Sequence, residues 1–239
     1  MSGDKTCGPK PFRPIQPEET QPGYRILISN GLGAVGPGGG RHHSGNGLIG
    51  QQASCPNCGT PLFPAFVLDG SDPRIFGLKL WDAGVLEVPV CLACTFYLDP
   101  YWVDLCGPLH ISGGYRGDDA PIYNLAQPYP VRQIELIELS TEDYPLSEGA
   151  IAQMVRRLRS PGVYHQIGGS PPFGRDEGLT CNGCGKGMLF AGVVDNDDAE
   201  TYAFDEKGLP ITLAIGDMRS LYFFTCPPCR IVGVKCFWP

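Results

Sequence analysis

Short runs of alternating apolar and polar residues, separated by glycine- and proline-rich turns, dominate this chain. Such a period of two predicts strands. They are expected at Tyr24–Ser29, Leu62–Leu68, Val85–Cys91, Thr95–Val103 and Val131–Leu139, then at Met188–Val194, Ile211–Ile215, Leu221–Thr225 and Ile231–Phe237. One stretch follows the helical period instead. Ile151, Met154, Val155 and Leu158 fall at i, i+3, i+4 and i+7, Ser147 can cap the start, and Pro161-Gly162 ends it. Arg156, Arg157 and Arg159 lie off that apolar stripe, where they read as a solvated face or as a patch for an anion or a partner.

The expected class is therefore mainly β (α+β), with two β-rich units and one well-defined helix between them. Residues 1–23 carry Pro9, Pro11, Pro14, Pro17 and Pro22 with few apolar residues, and read as an extended arm. A first unit is expected over 24–145, and the helix with a second unit over 146–239. Within the first, 31–50 reads as a glycine-rich loop. Its Gly31-Leu32-Gly33-Ala34-Val35-Gly36 fits the dinucleotide fingerprint by spacing alone. That fingerprint needs a helix directly behind it to face a pyrophosphate, and Pro37-Gly38-Gly39-Gly40 cannot open one. His42 and His43 fall in the same loop and are expected to lack order.

Cysteine spacing adds chemistry to this outline. Four Cys-x-x-Cys pairs occur: Cys55/Cys58, Cys91/Cys94, Cys181/Cys184 and Cys226/Cys229. The opening pairs share a tail, Cys-Gly-x-x-Leu-Phe at 58–63 and Cys-Gly-x-x-Met-Leu-Phe at 184–190, so one zinc-stapled unit is expected twice. Eight thiols in knuckles suit two tetrahedral four-cysteine Zn2+ sites. Pairing within each repeat keeps the ligands local; pairing across repeats is the alternative. Four cysteines leave no open coordination position, so both ions are read as structural. Gly59 and Gly185, directly behind the opening knuckles, suit a positive φ that turns the chain back into a strand. Redox chemistry would need a helix behind the first cysteine pair to lower a thiol pKa. Gly59-Thr60-Pro61 and Ile231-Val232 do not start one.

Charge narrows the function classes. The chain has 18 Lys and Arg against 25 Asp and Glu, a formal charge of −7, which eight thiolates and two zinc ions would bring to about −11. Phosphate binding rests on the opposite sign, so nucleic acid is disfavoured as a partner, and a basic protein surface is favoured. No apolar run reaches the roughly 20 residues of a membrane helix, and the start lacks the apolar core of a secretory signal. A reducing cytoplasm is the expected setting.

The segment His165-x-Ile167-Gly168-Gly169-x-Pro171, the Cys181-x-x-Cys184-Gly185-x-x-Met188-x-Phe190 run and Gly216-Asp217 ahead of Tyr222-Phe223-Phe224-x-Cys226-Pro227 resemble the bacterial YwqG-type family. The likeness covers about 75 residues of the C-terminal third. Ser170 departs from it, standing where an aromatic is usual. A weaker resemblance links the repeated Cys-x-x-Cys-Gly units to the C-terminal domain of programmed cell death protein 2. These resemblances imply a duplicated β fold with protein-binding roles, as immunity factors against toxins or as chaperones for a ribosomal protein. Two alternatives stand beside that reading: an enzyme holding its substrate near His165, Gly168 and Gly169, and a nucleic-acid binder using the Arg156–Arg159 helix.

Overall fold

A computed structural model describes residues 22–28, 42–45, 59, 62–81, 84–90, 100–105, 110–113, 131–139, 165–169, 171, 178–194, 203–204, 210–211 and 220–237. The expected helix behind Ser147, with Arg156, Arg157 and Arg159, lies outside these residues. So do Cys55, Cys58, Cys91 and Cys94, most of the 1–23 arm, and all of the 31–50 loop except 42–45.

The described strands are β1 (Gly23–Ile28), β2 (His43–Ser44), β3 (Phe63–Asp69), β4 (Val85–Val90), β5 (Tyr101–Asp104), β6 (His110–Gly113), β7 (Arg132–Glu138), β8 (His165–Gly168), β9 (Leu189–Val194), β10 (Ala203–Phe204), β11 (Pro210–Ile211), β12 (Ser220–Cys226) and β13 (Ile231–Phe237). Eleven of them form one antiparallel sheet in the order β4-β3-β2-β7-β1-β8-β9-β12-β13-β5-β6, and β10 pairs with β11 separately. The mainly β expectation holds, and most predicted strands lie within a residue or two of their observed places.

Period-two patterning explains how the sheet buries one face. In β7, Arg132, Ile134 and Leu136 turn inward while Gln133, Glu135 and Ile137 turn out. Ile134 and Leu136 meet Ile26 and Ile28 of β1, Phe66 and Leu68 of β3, Leu86, Val88 and Val90 of β4, Val103 of β5, Ile167 of β8, Phe223 of β12 and Val232 of β13 in one buried cluster. That cluster draws on residues 26 to 234, so the two expected units share a core. The sheet curls to enclose it.

One short helix, α1 (Pro73–Gly77), joins β3 to β4. Ile75, Leu78, Leu80 and Trp81, from α1 and the turn behind it, are at most 2% exposed and complete the core cluster. Asp72 caps the helix, accepting from the Arg74 amide, with Pro73 in the first turn. Periodicity misses so short a helix, but the Asp72-Pro73 start was a usable signal.

His42 corrects the loop reading of 31–50. It is 4% exposed, and the Ile134 amide donates to its carbonyl. Its Nδ1 accepts from the Asp69 amide at 3.1 Å while Nε2 donates to Asp72 at 2.9 Å. Both ring nitrogens are engaged, so the imidazole fastens β2 to the start of α1 and offers nothing to a ligand. Among the described residues no helix is long and apolar enough to cross a membrane.

Candidate metal centre

β9 and β12 form a hairpin frame whose open end carries two cysteine knuckles. The chain approaches through Leu179 and Thr180, turns through Cys181–Cys184, and returns at Gly187, which bridges to Thr180. The Cys181 amide donates to the Lys186 carbonyl at 2.8 Å, and the Met188 amide to that of Leu179 at 2.7 Å. Within the knuckle the Gly185 amide donates to the Cys181 carbonyl at 2.8 Å. Gly185 takes φ 70, as its place behind the knuckle requires. The second knuckle closes β12 onto β13 with a bond from the Cys229 amide to the Cys226 carbonyl at 3.1 Å.

These turns bring the sulfurs of Cys181, Cys184, Cys226 and Cys229 within 4.8 Å of one another, with Cys184 and Cys226 at 3.8 Å. A tetrahedral zinc ion with Zn–S bonds of about 2.3 Å requires sulfurs about 3.8 Å apart. The quartet is thus of a size and donor type to hold one metal ion. The four sulfurs that come together belong to the two C-terminal Cys-x-x-Cys pairs.

Two of the thiols, Cys226 and Cys229, resist ionising in this space. Burial pushes Cys229 up to about 11 and raises Cys226 further. Cys184, the exposed member, is lowered chiefly by the Lys186 amide. A divalent cation reverses the penalty by pairing the thiolates with positive charge.

Packing leaves the cluster little freedom. A Cβ on Gly183 would lie 2.9 Å from Ile231 Cδ1 and 3.6 and 3.7 Å from the sulfurs of Cys229 and Cys181. Leu179, Met188, Val193, Tyr222, Phe224 and Ile231 bury Cys181 and Cys226 in a second apolar cluster, with Cys229 partly buried against it. Phe190 rings Tyr222 and Phe224 at 5.8 and 6.0 Å between centroids.

The other candidate residues fall elsewhere. His165 is 2% exposed and lies in the core, its ring edge-on to Phe66 at 5.4 Å. Gly168 and Gly169 both hold φ 68 in a filled turn, where a Cβ would come within 3 Å of Pro22 and Leu78 at the first and Leu139 at the second. Cys236, which stands outside every Cys-x-x-Cys pair, is partly buried against the core.

The first half contains matching backbone features. Residues 58–69 and 184–195 align without a gap, Cys-Gly-Thr-Pro-Leu-Phe-Pro-Ala-Phe-Val-Leu-Asp against Cys-Gly-Lys-Gly-Met-Leu-Phe-Ala-Gly-Val-Val-Asp. Gly59 takes φ 70, as Gly185 does. The ladder of β3 with β4 is irregular between Pro64 and Phe66, at Ala65. That of β12 with β9 shifts where Gly192 gives way to Phe190, at Ala191. Phe63 pairs with Val90, the residue before Cys91, and Leu189 pairs with Thr225, the residue before Cys226. Sequence reasoning found the shared knuckle tail but not the shared bulge, whose alanine was already visible six residues behind each glycine.

Comparison of the chain with protein-family models, with curated proteins and with solved structures finds no match.

Proposed function

We propose that this protein is a zinc-stabilised binding scaffold: a duplicated β-rich chain with two structural zinc ions, acting in the cytoplasm on a basic protein surface as an immunity or chaperone-like factor. The observation that carries the proposal is the closed thiolate quartet. Four cysteine sulfurs within 4.8 Å of one another saturate a tetrahedral ion. Such an ion staples structure and leaves no position for substrate or water. Support for the duplication, and so for a second ion at Cys55, Cys58, Cys91 and Cys94, comes from the ungapped 58–69 and 184–195 alignment, the equal φ of Gly59 and Gly185 and the matching bulges. The acidic charge of −7 supports a basic partner.

Metal analysis by native mass spectrometry tests the architecture. Two zinc ions per chain are expected, falling to one in Cys55→Ser/Cys58→Ser and to one in Cys181→Ser/Cys184→Ser. A single ion in the wild-type chain would defeat the duplicated zinc reading. For the partner, the tagged chain is recovered from its own cells after nuclease treatment. A basic protein bound at low salt and released as salt rises is expected, whereas recovered nucleic acid alone would reverse the assignment.

A further inference from the structure

The C-terminal quartet is held from outside its own hairpin, by residues far away in the chain. Trp102 of β5 donates its indole Nε1 proton to the Thr180 carbonyl at 3.0 Å, 78 residues distant, and its ring packs with the cluster beneath the knuckles. The Leu105 amide, just past β5, donates to the Arg230 carbonyl at 3.0 Å. Arg230 directly follows Cys229 and sits at φ 55, a left-handed conformation that is strained for a residue other than glycine. Its guanidinium carbon lies 5.8 Å from the centroid of Trp81, which is 2% exposed in the turn behind α1. Pairing of β13 with β5 begins at the next residue, Ile231 opposite Asp104.

Both knuckles thus end against the 78–81 and 101–105 segments. The opening knuckle presents Thr180 to Trp102. The closing knuckle presents Arg230 to Leu105 and Trp81. Each knuckle is a turn with few backbone bonds of its own, so its shape depends on what the sulfurs hold. A cation on the four sulfurs would add a tie that fixes both turns, and with them the Thr180 and Arg230 carbonyls.

We propose that metal at Cys181, Cys184, Cys226 and Cys229 acts as a clamp on the β13–β5 seam, and that Trp102 and Arg230 in turn set the affinity of the site. The proposal rests on the metal reading of this quartet and extends it to residues outside the hairpin. Reciprocity is required by linkage: if bound metal stabilises the seam, an intact seam tightens metal binding by the same factor. Trp102 and Arg230 are positioning residues here, acting through the turns that carry the ligands.

Hydrogen exchange on the full-length protein, with and without zinc, reads the clamp. Zinc is expected to slow exchange about tenfold across 101–105 and 78–81, with little change in β1 and β7, which pair away from the site. Cobalt substitution reports binding independently, through the share of the thiolate charge-transfer band that is lost in Cys181→Ser/Cys184→Ser. Trp102→Phe keeps one aromatic ring in place and deletes the donor. Together with Arg230→Ala, it is expected to weaken zinc binding about tenfold in chelator competition, at unchanged circular dichroism. A full cobalt band with protection confined to 178–188 and 226–231, and wild-type affinity in both variants, would overturn the clamp while leaving the metal site standing. Absence of any cobalt band from this quartet would remove the metal reading, and the clamp with it.

Discussion

The β3–β4 and β9–β12 hairpins share a frame and fill it in opposite ways. Each begins behind a glycine at φ 70, each has a bulge at an alanine six residues later, and each runs in register to the residue before a closing Cys-x-x-Cys. At the rung after the bulge they part. The first hairpin sets Phe66 opposite Val88, and the second sets Gly192 opposite Phe223. The large ring stands on the first strand in one and on the second in the other, and the two phenylalanines meet in the core at 6.5 Å between centroids. Backbone geometry is the rigid quantity, because moving a bulge by one residue would turn every following side chain to the wrong face. Side-chain volume is negotiable as long as the total is kept.

Alanine at this rung should therefore fail in both hairpins, for opposite reasons. Phe66→Ala removes a fully buried ring that touches His165 and Phe223, and a loss of about 3–5 kcal/mol is expected in denaturant unfolding. Gly192→Ala adds one carbon where there is no room. Its Cβ would lie 2.1 Å from the Gln166 carbonyl oxygen and 2.6 Å from the Phe223 ring. The backbone oxygen belongs to the β8–β9 ladder, so β8 must move away, at a cost of about 3 kcal/mol. A mild Gly192→Ala beside a severe Phe66→Ala would mean that the second frame is looser than its packing implies.

The knuckle glycines sharpen the comparison at smaller cost. Among the described residues no atom lies within 4 Å of a Cβ added at Gly59 or Gly185, so the left-handed backbone is what matters there. Gly59→Ala and Gly185→Ala should each lose about 1–2 kcal/mol, and asparagine at either place should lose less. Equal losses in urea titrations would show that both turns constrain their hairpins alike. A silent Gly59→Ala against a costly Gly185→Ala would break the likeness at its root.

Much of this frame was legible in the sequence, because its causes are local. Alternation in Val131–Leu139 gives β7, two-residue cysteine spacing gives the knuckles, and a following glycine gives the turn. Arg132 belongs to the inward set with Ile134 and Leu136 by the same alternation, although a charge there was not singled out. What escaped depended on distant partners or on short elements. β2 spans only His43 and Ser44, too little for any period. His42 looked like part of a glycine-rich loop because Asp69 and Asp72, which fix it, lie about 30 residues ahead. Trp102 and Arg230 carried no motif at all; their place beside the cysteine knuckles exists only once β13 lies beside β5.

The smallest expected effect concerns how the first hairpin joins its strands. Between β3 and β4 it places α1, tied down by Asp72, which accepts from His42 Nε2 and from the Arg74 guanidinium at 2.9 and 2.8 Å. The Arg74 hydrogen bonds beside it hold the Asp72 carboxyl well below the usual carboxylate range, against the opposing effect of burial. A depressed folded pKa gives stability that is complete above the unfolded value of about 3.9 and fades as pH falls below it. Arg74 is 44% exposed in its side chain, and solvent screening limits the ion pair's share, so Asp72→Asn should cost about 1 kcal/mol at neutral pH. Asparagine still caps the helix, which isolates the charge. Unfolding in urea should show a constant gap between wild type and variant above about pH 5, narrowing progressively below about pH 4. A gap that keeps its neutral value down to about pH 3 would mean that the cap and not the charge holds α1 in place, and the pull of Arg74 on Asp72 would then contribute nothing to this hairpin's stability.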